Sequence, residues 1–353
     1  KRLVSVQIHP VRFDPAANRL LAADSLTVTV VLKAREPDAE LHAARALSAA
    51  PSPLALASDG PHTYVVVSTS NLIYNAAGPW NLQALCAARA RAGFTPALVS
   101  TEWIQANYAG TNLAIRIRAF VQDAYARWGT KYLLLAGTFD LIPVQKLCVS
   151  FADFITTQTA YIPSDAIYYG CMSGTFDGNG NGRYGEVTDG AGGGDVDLTA
   201  EVMVGRFPVA NATELAHMVR KTLRYESATA AEVRAVSHVA EIVNLGSTVY
   251  ATPFMEELRL GSSSYGLTAL GFENSAYTGV FDTDHTLYDS SNSTWTASDA
   301  LSFLNRDQYV INHLGHGADQ QCFKLSLAQT DSRNALAAFT NTLPYFVYSQ
   351  ACD

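Results

Sequence analysis

No block of lysine or arginine occurs in this chain, and its formal net charge is -8. Nucleic acid is bound through a clustered basic face, so it is excluded as a partner. No apolar run approaches the roughly 20 residues that a membrane-spanning helix needs, so this segment holds no membrane span. Charged residues are scarce, 16% against 48% hydrophobic, which is a globular composition rather than a disordered one. The first residue is Lys, not Met, and no charged-then-apolar leader is visible, so a signal peptide would lie outside this sequence. Cysteine is sparse. Cys86, Cys148, Cys171, Cys322 and Cys352 show no C-x-x-C spacing for zinc or thiol exchange, and their odd number leaves at least one thiol unpaired. Taken singly, each reads as a buried small hydrophobe.

What is present is a chain of 353 residues, long enough for more than one domain. Residues 1–35 alternate apolar and polar positions (Val4, Val6, Ile8; Leu26, Val28, Val30) around a "DPAANR" turn and predict antiparallel strands. Residues 36–60 are rich in Ala, Pro and Ser with no sustained period and read as an exposed linker. From Tyr64 the pattern becomes apolar strand, amphipathic helix, apolar strand: "YVVVSTS", "WNLQALCAARARAG", "TPALVST", "AIRIRAFVQDAYARWG", "KYLLLAG". Apolar strands separated by amphipathic helices imply a mostly parallel sheet covered on both faces, a doubly wound α/β architecture. A second round follows a Gly- and Asp-rich interval, with "EVMVGRF", "NATELAHMVRKTLRYE" (Asn211 and Glu214 forming a capping box), "VSHVAEIV", "YVINHL", a helix "DSRNALAAF" and a last strand "YFVYS". The expected division is a first α/β subdomain over residues 61–190 and a second over 191–353.

Two of these strands end on reactive groups. "YVINHLGHG" carries His316 and "YFVYSQACD" carries Cys352, and in a parallel sheet such groups collect past the carboxyl ends of the strands. An imidazole beside a thiol accepts its proton and later protonates a leaving amine, which is the requirement for acyl transfer through sulfur. Gly315 and Gly317 leave room for a substrate carbonyl to approach the backbone. The interval from His316 to Cys352 is what one crossover through a helix occupies. The bland alternative is a strand-end turn and a core thiol.

"NHLGHG" followed by "FTNTLPYFVYSQACD" resembles the catalytic region of the gingipain family of cysteine peptidases, and "YLLLAGTFDLIP", "YIPSDAIYY", "EVMVGRFPVANATELAHMVRKTLRYE" and "YVVVSTSNLI" are similar to further family segments. The resemblance implies a caspase-like fold and a secreted or cell-surface cysteine endopeptidase made as a zymogen. It makes Cys352 the nucleophile, His316 the general base and then acid, and the N–H groups of Gly317 and Cys352 the oxyanion site. Glu201, at the head of "EVMVGRF", matches the position that orients the histidine, with Asp165 as a competing carboxylate. Residues 1–35 are similar to the end of the family's N-terminal β prodomain. The implied partners are protein or peptide substrates, the chain's own prodomain, and a C-terminal chain continuing after Asp353. A secretion-system processing peptidase or transpeptidase would use the same dyad. A silent member would be a calcium-stabilised binding module.

One motif stands apart from this chemistry. "DGNGNGRYGE" sets Asp177, Asn179 and Asn181 at alternating positions, with Gly182 sixth and Glu186 nearby, as a tightly turned loop for a hard cation requires. A structural Ca2+ is expected there, in a loop other than an EF-hand, and no cofactor for catalysis. His313, His316 and Cys322 offer donors suited to zinc, but a strand over "YVINHL" would not bring both histidines to one face.

Overall fold

A computed structural model of the chain describes residues 11–14, 19–22, 60–76, 78–152, 157–244, 248–266, 268–273, 280–318, 321–326 and 339–351. Near the N-terminus, Val11–Asp14 pairs antiparallel with Arg19–Ala22. The alternating positions at Val4–Ile8 and Leu26–Val30, most of the 36–60 linker and nearly all of the "DSRNALAAF" helix lie outside the described residues, as does Cys352.

The remainder divides into two compact units, with the boundary between Arg220 and Lys221. In the first, strands β1 (Tyr64–Ser68), β2 (Pro96–Ser100), β3 (Tyr132–Ala136) and β4 (Met203–Phe207) form one parallel sheet in the order β2-β1-β3-β4. The "EVMVGRF" strand therefore closes the first sheet, and the expected subdomain boundary at 190/191 moves past it. Strand order in a wound sheet is set by crossovers, not by position along the chain, and a Gly-rich interval between β3 and β4 does not end the sheet. Helix α1 (Leu82–Arg91) and the amphipathic helix α2 (Leu113–Trp128) lie between these strands in the sequence. Asn112 caps α2 by accepting the Ile115 N–H, and Gly129 ends it in the left-handed conformation (φ 66°), where a side chain would be strained. Ile117, Phe120, Val121 and Ala124 of α2 are buried with Val65, Val67, Leu133 and Leu135 of the sheet. Each such large side chain contributes on the order of 2 kcal/mol on leaving water. Helix α3 (Ala212–Glu226) starts on the expected cap, Asn211 Oδ1 accepting the Glu214 N–H at 3.0 Å.

The second unit holds another all-parallel sheet. Its strands are β5 (Ala235–Ala240), β6 (Asp282–Tyr288), β7 (Val310–Leu314) and β8 (Phe346–Gln350), in the order β6-β5-β7-β8, with helices α4 (Thr252–Leu260) and α5 (Ala297–Leu304) among them. The mostly parallel α/β expectation is met in both units. Val239, Ile311, Trp295, Phe303 and Phe323 form the apolar centre of this second unit.

Candidate active site

The four strands of the second sheet end in register. Tyr288 and Leu314 both pair with Ala240, and Leu314 also pairs with Gln350. The residues just beyond are Asp289, Glu241, Gly315 and Ala351, so four backbones leave one sheet edge side by side. His316 lies two residues past Leu314, and Cys352 lies two past Gln350. Gly315 continues the pairing by donating its N–H to the Gln350 carbonyl at 3.2 Å.

At this edge Glu241 is buried, 2% exposed, and every oxygen is used. Its Oε1 is 3.0 Å from His313 Nε2, and its Oε2 accepts the His316 backbone N–H at 3.3 Å. The His316 ring itself is exposed. His313 is fully buried, with Nδ1 2.8 Å from Ser349 Oγ and its ring stacked on Phe323 at 4.0 Å. Gly315 crosses directly over the Glu241–His313 bond: a Cβ there would lie 2.5 Å from Glu241 Cδ and from His313 Nε2. The glycine before His316 thus makes room for a buried carboxylate–imidazole contact.

A second buried knot braces the same edge. Asp289, with no exposed surface, accepts the N–H groups of Ile242 and Trp295 and both of its oxygens receive Lys324 Nζ, at 2.8 and 2.7 Å. Lys324 also donates to the Trp295 carbonyl and sits 3.9 Å over the Trp295 ring, while the indole N–H donates to the Ala240 carbonyl. Phe323 and Lys324 form the turn between Gln321–Cys322 and Leu325–Ser326, both with positive φ (55° and 56°), which is strained for side chains of this size. The ion pair and the Phe323–His313 stack hold that turn in place.

Among the residues the sequence singles out, Gly317 opens the two-residue strand that pairs with Gln321–Cys322. Glu201, expected to orient the histidine, accepts the Met172 N–H at 2.9 Å in the first unit, and Asp165 is paired with Arg206. The carboxylate bonded to the His316 turn is Glu241, an acid inside the apolar run "VSHVAEIV". The signal for it was an acid in an apolar run, since Glu is almost never fully buried without a partner. Two other cysteines are poor nucleophiles: burial pushes the Cys86 thiol up to about 12 and that of Cys171 up to about 11.

His238, on β5, has a different character. Burial drives its pKa down to about 4, and its ring packs edge-on against Phe272. An unfolded histidine takes its proton near pH 6.5, so as pH falls from there to about 4 this side chain gains charge only in the unfolded chain, and its contribution to stability declines across that window. The wild-type unfolding free energy is expected to fall by up to about 3 kcal/mol more than that of His238→Leu between those limits, measured by urea titration at each pH. An equal pH dependence in the two proteins would overturn this.

In the first unit, the loop after Cys171 is fastened by the buried Arg118, whose guanidinium donates to the carbonyls of Tyr168, Cys171 and Ser173. Both Asp177 oxygens accept the Gly182 N–H, at 3.1 and 3.2 Å, and Asn179 Oδ1 accepts the Asn181 N–H. The amides of Asn179 and Asn181 turn toward Thr188 and Glu186, with Asn181 Nδ2 to Glu186 Oε2 at 2.6 Å. That bond, foremost, holds the Glu186 carboxyl below its usual range. Asp189 closes the loop: its Oδ2 accepts the Glu186 N–H at 2.7 Å, while Oδ1 is buried without a hydrogen-bond partner. Among the described residues no three His, Cys, Asp or Glu side chains are gathered as a metal cage, so amide oxygens would have to complete a donor set. A buried orphan carboxylate oxygen beside this oxygen-rich loop fits a hard cation.

Comparison with known proteins turns on the same segments. The sequence matches peptidase family C25 over residues 57–353, which takes in both sheets and the edge just described. The chain belongs to peptidase family C25. Its fold is similar to a crystal structure of the Arg-specific cysteine proteinase gingipain R (RGPB), with TM-score 0.54, 16% identity, 86% of this chain and 56% of that one covered. A structure described as a protease gives TM-score 0.55 at 17% identity, covering 85% and 54%. The complex of the pro- and mature domains of RgpB from Porphyromonas gingivalis gives 0.50 at 17%, covering 82% and 55%. No match was found among curated proteins. This C25 chain has the α/β, caspase-like fold of those structures and spans about half of their length.

Proposed function

We propose that this C25 chain is a secreted cysteine endopeptidase, made as a zymogen whose residues 1–35 are the end of a prodomain. The observation that carries the reading is the parallel register of β7 and β8: residues two beyond the paired Leu314 and Gln350 are His316 and Cys352. His316 takes the Cys352 proton, and the thiolate attacks a substrate carbonyl whose oxygen turns to the N–H groups of Gly317 and Cys352. Collapse forms a thioester and expels the amine, which leaves with the proton from His316. Water then gives its proton to His316, hydrolyses the thioester and restores the thiol. Glu201 keeps the proposed role of orienting the histidine, and Glu241 is proposed beside it as the carboxylate that holds the His316 turn, supported by its bond to the His316 N–H.

The test is a peptidyl acyloxymethyl ketone followed by peptide mapping. Label on Cys352 that disappears in His316→Ala supports the dyad. Label spread alike over all five cysteines, or on none, favours a silent binding module instead. Free carboxyl termini in the products mark hydrolysis, and new amide bonds mark transfer.

The 177–189 loop is assigned a structural Ca2+, held by oxygens of Asp177, Asn179, Asn181 and Glu186, with Asp189 added on its orphan oxygen. Chelation by EGTA is expected to lower the melting temperature by several degrees, and restored free calcium to raise it in proportion to the logarithm of its concentration. The shift should vanish in Asp177→Ala; its persistence there would place calcium elsewhere.

A further inference from the structure

We propose that His313 is a positioning residue for this peptidase, tying the carboxylate beneath the His316 turn to the strand that leads to Cys352. The proposal rests on the peptidase reading above. A histidine buried in a sheet is ordinarily a core residue, and His238 on the neighbouring strand is one. His313 differs in what it bridges. Glu241 lies just past β5, His313 is on β7 and Ser349 is on β8, so one imidazole links three adjacent strands at the edge where both reactive residues emerge.

The bonding also fixes the ring. An ionised carboxylate only accepts, so Nε2 carries the hydrogen toward Glu241. In the neutral ring Nδ1 then accepts from the Ser349 hydroxyl, which lies 3.8 Å from the Cys322 thiol. Phe323 is stacked on the ring, and the Gly315 backbone covers the bond to Glu241. A displacement of His313 therefore moves two things together: the Glu241 oxygen that holds the His316 N–H, and the backbone three residues before Cys352. Placement errors near 1 Å at reacting groups cost about 100-fold in rate.

The experiment compares the full chain with His313→Phe, His313→Gln, His316→Ala and Cys352→Ala, reading kcat and KM separately on a peptide substrate, with urea midpoints to show each variant folded under assay conditions. Phe keeps the ring's bulk and loses both bonds, so kcat is expected to fall about 30- to 100-fold with KM within about twofold. Gln can donate to Glu241 and accept from Ser349, and is expected to recover to within about fivefold of wild type. A Phe variant within twofold of wild-type kcat, or a Gln variant no better than Phe, overturns the proposal. In a separate measurement, 15N-histidine NMR should show His313 hydrogen-bearing at Nε2 and bare at Nδ1, with Ser349→Ala shifting the Nδ1 resonance; rapid exchange between the two nitrogens also overturns it. If His316→Ala and Cys352→Ala hydrolyse peptides as fast as wild type, it is the peptidase reading that fails, and the tautomer result still decides whether His313 forms the bridge.

Discussion

His316→Ala is expected to lower kcat/KM for a peptide substrate by about 10⁴-fold, close to 5.5 kcal/mol of transition-state stabilisation, while leaving the fold intact. The ring is exposed, so its removal opens no cavity in the second unit. The turn is held by the backbone, through the His316 N–H to Glu241 and the Gly315 N–H to Gln350, and alanine keeps both bonds. What is lost is the proton acceptor for the thiol and the donor for the leaving amine. An unassisted thiol ionises near pH 8.5, so the residual rate of the variant should climb with pH through about 7 to 9. The check is a pair of pH–rate profiles. A variant that keeps more than about a tenth of wild-type activity at neutral pH would remove His316 from the proton path.

Much of this arrangement was legible because a strand buried on both faces writes its burial into the sequence. "YVVVS" and "YLLLA" are nearly continuous apolar runs, and each is a central strand. β6 carries no such mark: Asp282–Tyr288 is an edge strand with the polar series "DTDHT" and lacks an apolar run. The assignment of β4 failed for another reason. Its apolar pattern gave a strand, but no local pattern says which sheet a crossover returns to. The site divided in the same way. His316 and Cys352 were visible as departures at strand ends, whereas Glu241 and His313 are functional candidates only as a pair, and neither residue's own surroundings in the sequence point to the other. Asp189 lies outside the alternating oxygen pattern of residues 177–186, and only its burial draws attention to it. Gly315 was read as clearance for a substrate; the structure shows that the clearance is already used by Glu241 and His313.

Lys324→Met should destabilise the second unit by about 3 kcal/mol, and the reason lies in Asp289 rather than in the lysine. Asp289 has no exposed surface, and without Lys324 its charge retains only the N–H groups of Ile242 and Trp295. Breaking one partner from a buried ion pair leaves a charge that water cannot reach, whereas removing both partners leaves none. Asp289→Asn placed in the Lys324→Met background should therefore recover most of the loss, because the amide oxygen still accepts a backbone N–H. Lys324→Gly is a sharper comparison. It relieves a left-handed residue, worth about 1 kcal/mol, yet removes the same counter-charge, so the pair outweighs the strain and the glycine variant is also less stable than wild type. Urea unfolding of the four proteins orders these effects. A Lys324→Met midpoint equal to wild type, or a double variant no more stable than the single one, would show that Asp289 is neutralised by other means. Because the Lys324 turn is the one that seats Phe323 against His313, the same variants should also lose peptidase activity at temperatures where they remain folded.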